Sequence, residues 1–119
     1  MKGDKVMKLH IGMTIEEAFD LFSIDDICVN DINGYYWVNG WYTLFSERIW
    51  VSLCFKDRKL WMINLYPHYK ENENRAAYEI FSSDERICKE WVEKHKDQLP
   101  ENTEAYYDHR TPEVGVAIR

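Results

Sequence analysis

The chain has 119 residues, 45% of them apolar and 30% charged, with a formal net charge of −6. That length suits one domain with one real core, in which about 65–70% of the unfolded surface leaves water, and the composition is that of a globular rather than a disordered chain. The acidic balance argues against nucleic acid or an anionic membrane as partner, because phosphate binding needs a basic footprint.

Charge is spread unevenly. Residues 14–33 hold six acids (Glu16, Glu17, Asp20, Asp25, Asp26, Asp31) and no Lys or Arg. Residues 34–70 carry five basic and two acidic side chains, and residues 71–104 carry ten acidic and five basic. Such a distribution suits a basic protein partner. Cys28, Cys54 and Cys88 are odd in number and widely spaced, so a reducing, cytoplasmic setting is expected and a disulfide framework is not. Residues 1–10 are charged and lack the apolar run of a signal peptide, and no apolar stretch is long enough to span a bilayer.

In chain order, residues 2–8 form a basic leader. Thr14 then reads as a helix N-cap, with Glu17 completing a capping box and Met13 placed to staple onto Ala18. Ile15, Ala18, Phe19 and Phe22 make one apolar stripe, and the helix is expected to end near Ser23. Residues 24–33 are acidic and rich in turn formers. Asn33-Gly34 and Asn39-Gly40 are both strong type I′ turn signals. A hairpin at Asn39-Gly40 would pair Val38 with Trp41 and Tyr36 with Thr43, with the next connection at Ser46, Glu47 and Arg48.

Residues 35–66 contain all but one of the five tryptophans. Within them Ile49, Val51, Leu53 and Phe55 alternate with Trp50, Ser52 and Cys54. A three-residue loop of Asp57, Arg58 and Lys59 would place Phe55 opposite Trp61, Leu53 opposite Ile63 and Val51 opposite Leu65. A two-residue loop would instead put Phe55 opposite Leu60 and Asn64 on the apolar face. The first register keeps one face apolar and is the one expected. Pro67 ends the strand, and an exposed loop follows. Residues 76–81 fit either strand or helix, with strand preferred. Ser82 and Glu85 form a second capping-box pattern opening a helix from Ser83 to about Asp97, with Ile87, Cys88, Trp91, Val92 and His95 on one face. Residues 105–108 and 114–118 read as a closing hairpin.

The fold expected is α+β: one domain over residues 1–119, with a twisted antiparallel sheet of about five or six strands and two helices packed on one face. No metal-ligand spacing, phosphate loop or nucleophile constellation stands out. No catalytic, cofactor or metal residue is therefore assigned. Cys54 and Cys88 read as core, Cys28 remains a weak nucleophile candidate, and Asp108-His109 reads as a turn. The aromatic run is the unusual feature. Alternation splits it between two sheet faces, and exposed rings on the second would be binding material.

Residues 9–17 (Leu9-His10-Ile11-Gly12-Met13-Thr14-Ile15-Glu16-Glu17), with the hairpin around Asp57-Arg58, resemble the opening of BamE and beta-lactamase-inhibitor-like domains. Cys88-Lys89-Glu90-Trp91-Val92, Tyr107-Asp108-His109-Arg110 and the last strand resemble the ending of small bacterial proteins, some similar to immunity proteins of polymorphic toxin systems. Both resemblances imply binding rather than catalysis. The function expected is a non-catalytic immunity or inhibitor module that occludes a basic, toxin-like protein. Its expected surface comprises Asp25, Asp26, Asp31, Tyr36, Trp41 and Trp50. The alternatives are a small-ligand or catalytic domain with a pocket between sheet and helices, walled by His95 or Cys28, and a homodimer formed through the open aromatic face.

Overall fold

The computed structural model describes residues 8–21, 27–71, 73 and 79–119, with the backbone alone for residues 27–30. The first helix, α1 (Ile15–Phe19), begins as its sequence dictates. Thr14 N–H donates to Glu17 Oε1 at 2.9 Å, and Glu17 N–H donates to Thr14 Oγ1 at 3.2 Å. This reciprocal cap satisfies two of the orphan donors of the first turn. The helix closes at Asp20, short of the expected Ser23, after a single turn and a half. Phe22 and Ser23 lie outside the described residues, as do Asp25, Asp26 and residues 76–78 of the ambiguous segment.

Four strands then form a meander: β1 (Ile27–Ile32), β2 (Tyr35–Leu44), β3 (Glu47–Lys56) and β4 (Lys59–Tyr66). Each connection is a two-residue turn with positive φ at both positions: Asn33-Gly34 (53° and 84°), Phe45-Ser46 (54° and 67°) and Asp57-Arg58 (54° and 67°). Such turns match the twist of the flanking strands. The first uses suited residues at both positions, the third only at Asp57, and the second at neither.

Asn39-Gly40 is not a turn. Strand β2 runs straight through it, and Gly40 pairs with Val51. Val38, Tyr42 and Leu44 then share a face with Leu53, Ile49 and the rest of the core. A turn at 39–40 would have broken that alternation, and the hydrophobic register outweighs the local signal. The next connection accordingly falls at Phe45-Ser46, one step before the expected Ser46–Arg48.

The third hairpin combines the two registers weighed above. Its loop has two residues, so Lys56 faces Lys59 and Phe55 faces Leu60. A bulge then follows, and beyond it Leu53 faces Ile63, Val51 faces Leu65 and Ser52 faces Asn64. The extra residue is Trp61, which swings out and is 50% exposed. A bulge costs one ladder pairing but lets both ends of β4 keep their apolar residues inward.

Helix α2 (Asp84–Lys94) is followed by a 3₁₀ turn (Lys96–Gln98). Its N-cap is Ser83 rather than Ser82, and the Ser82–Glu85 capping box is not made. Asp84 replaces it, its Oδ2 accepting the Phe81 N–H at 2.8 Å. The closing hairpin, β5 (Thr103–Asp108) and β6 (Glu113–Ile118), joins the sheet through its second strand, giving the order β1-β2-β3-β4-β6-β5. Because β6 pairs with β4 only over residues 63–65, the start of β4 keeps a free edge. Residues before α1 fill it: Gly12 N–H donates to the Leu60 carbonyl and Leu60 N–H to the Met13 carbonyl, both at 2.8 Å.

The sheet is therefore open, antiparallel and six-stranded in an α+β fold, with both helices on one face. Between them lies one core: Leu9, Met13, Ile15 and Ala18 from the first helix region, Cys88 and Trp91 from α2, and the inward rows Ile49–Phe55, Leu60–Leu65 and Val114–Ile118.

Candidate functional site

The sheet face opposite the helices carries Trp37, Asn39 and Trp41 from β2, Trp50, Ser52 and Cys54 from β3, and Met62, Asn64 and Tyr66 from β4, as strand alternation from the inward residues requires. A hydrogen-bonded side-chain cluster lies on it where β4, β6 and β5 run side by side. Tyr106 pairs with Gly115. Gly115 has no side chain, so the rings of Tyr66 and Tyr106 close over it. An added Cβ there would stand 3.0 Å from both Tyr106 Oη and Tyr66 Cε1. The two hydroxyls converge on one atom: Tyr66 donates to Glu113 Oε2 at 2.7 Å and Tyr106 donates to the same oxygen at 2.9 Å.

Burial pushes both phenols well above their usual range, and the neighbouring Glu113 carboxylate pushes them further. Both are protonated donors at neutral pH. Around this triad opens a cavity of about 710 Å³, with Trp37, Ser52, Met62 and Asn64 among its lining and Asp108, Arg110 and Arg119 also on its wall. A second cavity of about 430 Å³ shares Ser52, Tyr66 and Glu113 and extends past Trp50 and Tyr69. Tyr69 stacks on Tyr66 at 5.3 Å, and Glu71 reaches Arg48 at 3.4 Å, so the chain after β4 walls one end of the trough.

The expected binding residues do not form one surface. Trp41 and Trp50 face each other across β2 and β3 on the helix-free side, edge to face with centroids 5.2 Å apart. Asp31 pairs with Tyr36, and Tyr36 with Phe55, which puts Asp31 and Tyr36 on the helix side. There they line a different cavity of about 620 Å³ together with Glu16, Phe19, Asp57 and Arg58. Tyr66, Tyr106 and Glu113 were not singled out from the sequence. Lying 40 and 7 residues from one another along the chain, they meet only through the β4-β6-β5 strand order.

The structure also assembles a cysteine–histidine pair that no spacing announced. Cys88 Sγ lies 3.1 Å from His68 Nδ1, and both residues are buried. Desolvation and the charges of Asp84 and Glu85 push the thiol up to about 12. A nucleophile needs thiolate and access, and at pH 8 such a thiol is ionised in only about one molecule in ten thousand. Cys88 is core, and so is Cys54, whose thiol burial also raises. Nothing is described of the Cys28 side chain. Asp108 serves the turn: its Oδ1 accepts the Arg110 N–H at 3.0 Å, while His109 stacks on Tyr107 at 4.0 Å. His95 packs on Phe45 and Trp91, with Nδ1 3.3 Å from Gln98 Oε1. Among the described residues, no group of three or more His, Cys, Asp or Glu is placed to hold a metal ion.

These raised values make stability fall in alkali. Cys88, Tyr66 and Tyr106 bind their protons more tightly in the folded chain than in the unfolded one. Their contribution is complete below the unfolded thiol value of 9.0 and is lost as the pH climbs beyond it. The urea midpoint should drop steadily between about pH 9 and pH 11, and Tyr106→Phe should make that drop shallower. A midpoint independent of pH over this range would mean that these groups are solvated in the folded chain.

Among the described residues no helix is long and apolar enough to cross a membrane. Comparison of the chain with protein-family models, with curated proteins and with solved structures finds no match.

Proposed function

We propose that the chain is a non-catalytic protein-binding module of immunity or inhibitor type, working in the cytoplasm, that occludes a basic protein docked on its helix-free sheet face. One observation carries this reading. Two helices cover one face of the sheet, while the other presents Trp37, Trp41 and Trp50 around a trough with a carboxylate at its centre. Half-buried tryptophans on a rigid sheet lose little entropy on binding and are typical anchors of interfaces. The net charge of −6 adds long-range attraction for a basic partner. The acidic groove of Glu16, Asp31 and Asp57 lies on the other side and acts in steering rather than contact. The resemblance of residues 88–92, 107–110 and 114–119 to small bacterial proteins, some similar to immunity proteins, points the same way.

The test is affinity capture from the native host, repeated with Trp41→Ala, Trp50→Ala and, as a control on the exposed side of α2, Glu93→Gln. The partner is expected to be basic. Each tryptophan variant should weaken it by about 2 kcal/mol, roughly thirtyfold, and Glu93→Gln should leave it unchanged. Asp31→Lys should slow association without speeding dissociation. Capture indifferent to both tryptophans would overturn the reading. A concentration-dependent dimer in light scattering, lost in the same variants, would assign the face to a second copy instead.

A further inference from the structure

The geometry points to a specific occupant for the Glu113 cavity: we infer that it receives the guanidinium of an arginine side chain. This rests on the reading above, that the helix-free face takes a basic protein, and it names the group that enters. Both phenols donate to Oε2 of Glu113, so neither engages Oε1. Among the described residues no Lys, Arg or His forms an ion pair with Glu113. Arg110 and Arg119 line the same cavity, but Arg110 pairs with Asp108 at 3.5 Å. The result is a half-buried carboxylate held by neutral donors, with one oxygen uncommitted and no counter-charge in contact.

The surroundings select the cation. Each hydroxyl keeps acceptor lone pairs, and Ser52 and Asn64 add neutral acceptors. Trp37, Tyr66 and Tyr106 put aromatic rings in its wall. A guanidinium has five donors in a plane, stacks on aromatic rings and is more weakly hydrated than an ammonium, so it enters a half-dry aromatic cavity at lower desolvation cost. The preformed orientation of Glu113, held by two phenols over Gly115, means that little has to be ordered on binding.

The experiment is a titration of the full chain with Nα-acetyl-arginine amide, followed by amide and indole NMR shifts. Nα-acetyl-lysine amide and Nα-acetyl-glutamate amide run in parallel. Saturable shifts at the Gly115 amide and the Trp37 indole are expected with the arginine probe, in an affinity range on the order of millimolar. The lysine probe should bind more weakly and the glutamate probe should not bind. Glu113→Gln should weaken the arginine probe about tenfold, whereas Glu104→Gln should not. Tyr106→Phe keeps the carboxylate but removes one of the two phenols that orient it, so it should weaken the arginine probe about threefold; this holds the test open if Glu113→Gln fails to fold, and unchanged affinity in it would count against the inference. No saturable shift, a glutamate preference, or equal affinity in Glu113→Gln would overturn the inference. Partner capture that depends on Trp41 and Trp50 while the arginine probe fails would remove this inference alone.

Discussion

Gly115→Ala is expected to lower the unfolding free energy by about 1–3 kcal/mol, the usual range for forcing extra volume into a packed layer. The new methyl would meet Tyr106 Oη and Tyr66 Cε1 at 3.0 Å and the Leu65 carbonyl oxygen at 3.2 Å. The first contact can be relieved by turning a side chain. The last cannot, because Leu65 is paired with Val116 in the sheet. Both tyrosines would be pushed off Glu113, so the near-ultraviolet tyrosine dichroism should change together with the urea midpoint. In a Tyr106→Phe background the alanine should cost less, since the phenol oxygen is one of the nearest atoms. A midpoint equal to that of the parent chain would mean that the tyrosines are loosely held and the cavity is not preorganised.

Phe55→Ala should be more damaging still, at about 3–5 kcal/mol. The ring is fully buried, at the point where β3, β4 and the first helix region meet. For a domain whose whole stability is about 5–15 kcal/mol, that loss is a large share of it. The informative comparison is Trp61→Ala, which removes a larger side chain six positions further on. Trp61 is 50% exposed and touches Tyr35 at 5.6 Å, so truncation should cost about 1 kcal/mol or less. Urea denaturation of the two variants decides whether the bulge exists. If Trp61 faced Phe55 in the core, as an unbulged three-residue hairpin would have it, the two losses would be similar.

Much of this architecture was legible because it depends on close neighbours in the chain. The capping box at Thr14 and Glu17, the turn at Asn33-Gly34, the alternation from Ile49 to Phe55 and the stop at Pro67 are each encoded within a few residues. The misreadings share one physical origin. Asn39-Gly40 looks like a turn only when Val38 and Leu44 are ignored as members of one inward row. Asp57-Arg58 and Phe45-Ser46 look unsuited to a type I′ turn, yet the ladders on either side hold them at positive φ. In each case the apolar face of a ten-residue strand outweighed a preference of about 1 kcal/mol at one or two positions.

The candidate site was hardly legible at all. Trp41 and Trp50 were expected on the surface, and they do meet, but they do so because β2 runs through Asn39-Gly40 rather than turning there. Asp31 and Tyr36 were grouped with them by composition, but strand register sends them to the other side. Tyr66, Tyr106 and Glu113 carried no signal, since a tyrosine in a strand and a glutamate after a proline are ordinary. By itself the sequence determined an acidic α+β chain with a twisted antiparallel sheet, two helices on one face and more aromatic rings than that face can bury. The tertiary structure alone decided that β6 lies between β4 and β5, that Cys88 meets His68 in the core, and that two phenols close over a glycine onto one carboxylate. The reason is range: helix caps, turns and alternation are set by atoms a few residues apart, whereas the site is set by which strands become neighbours, and that follows from burying all the inward rows at once.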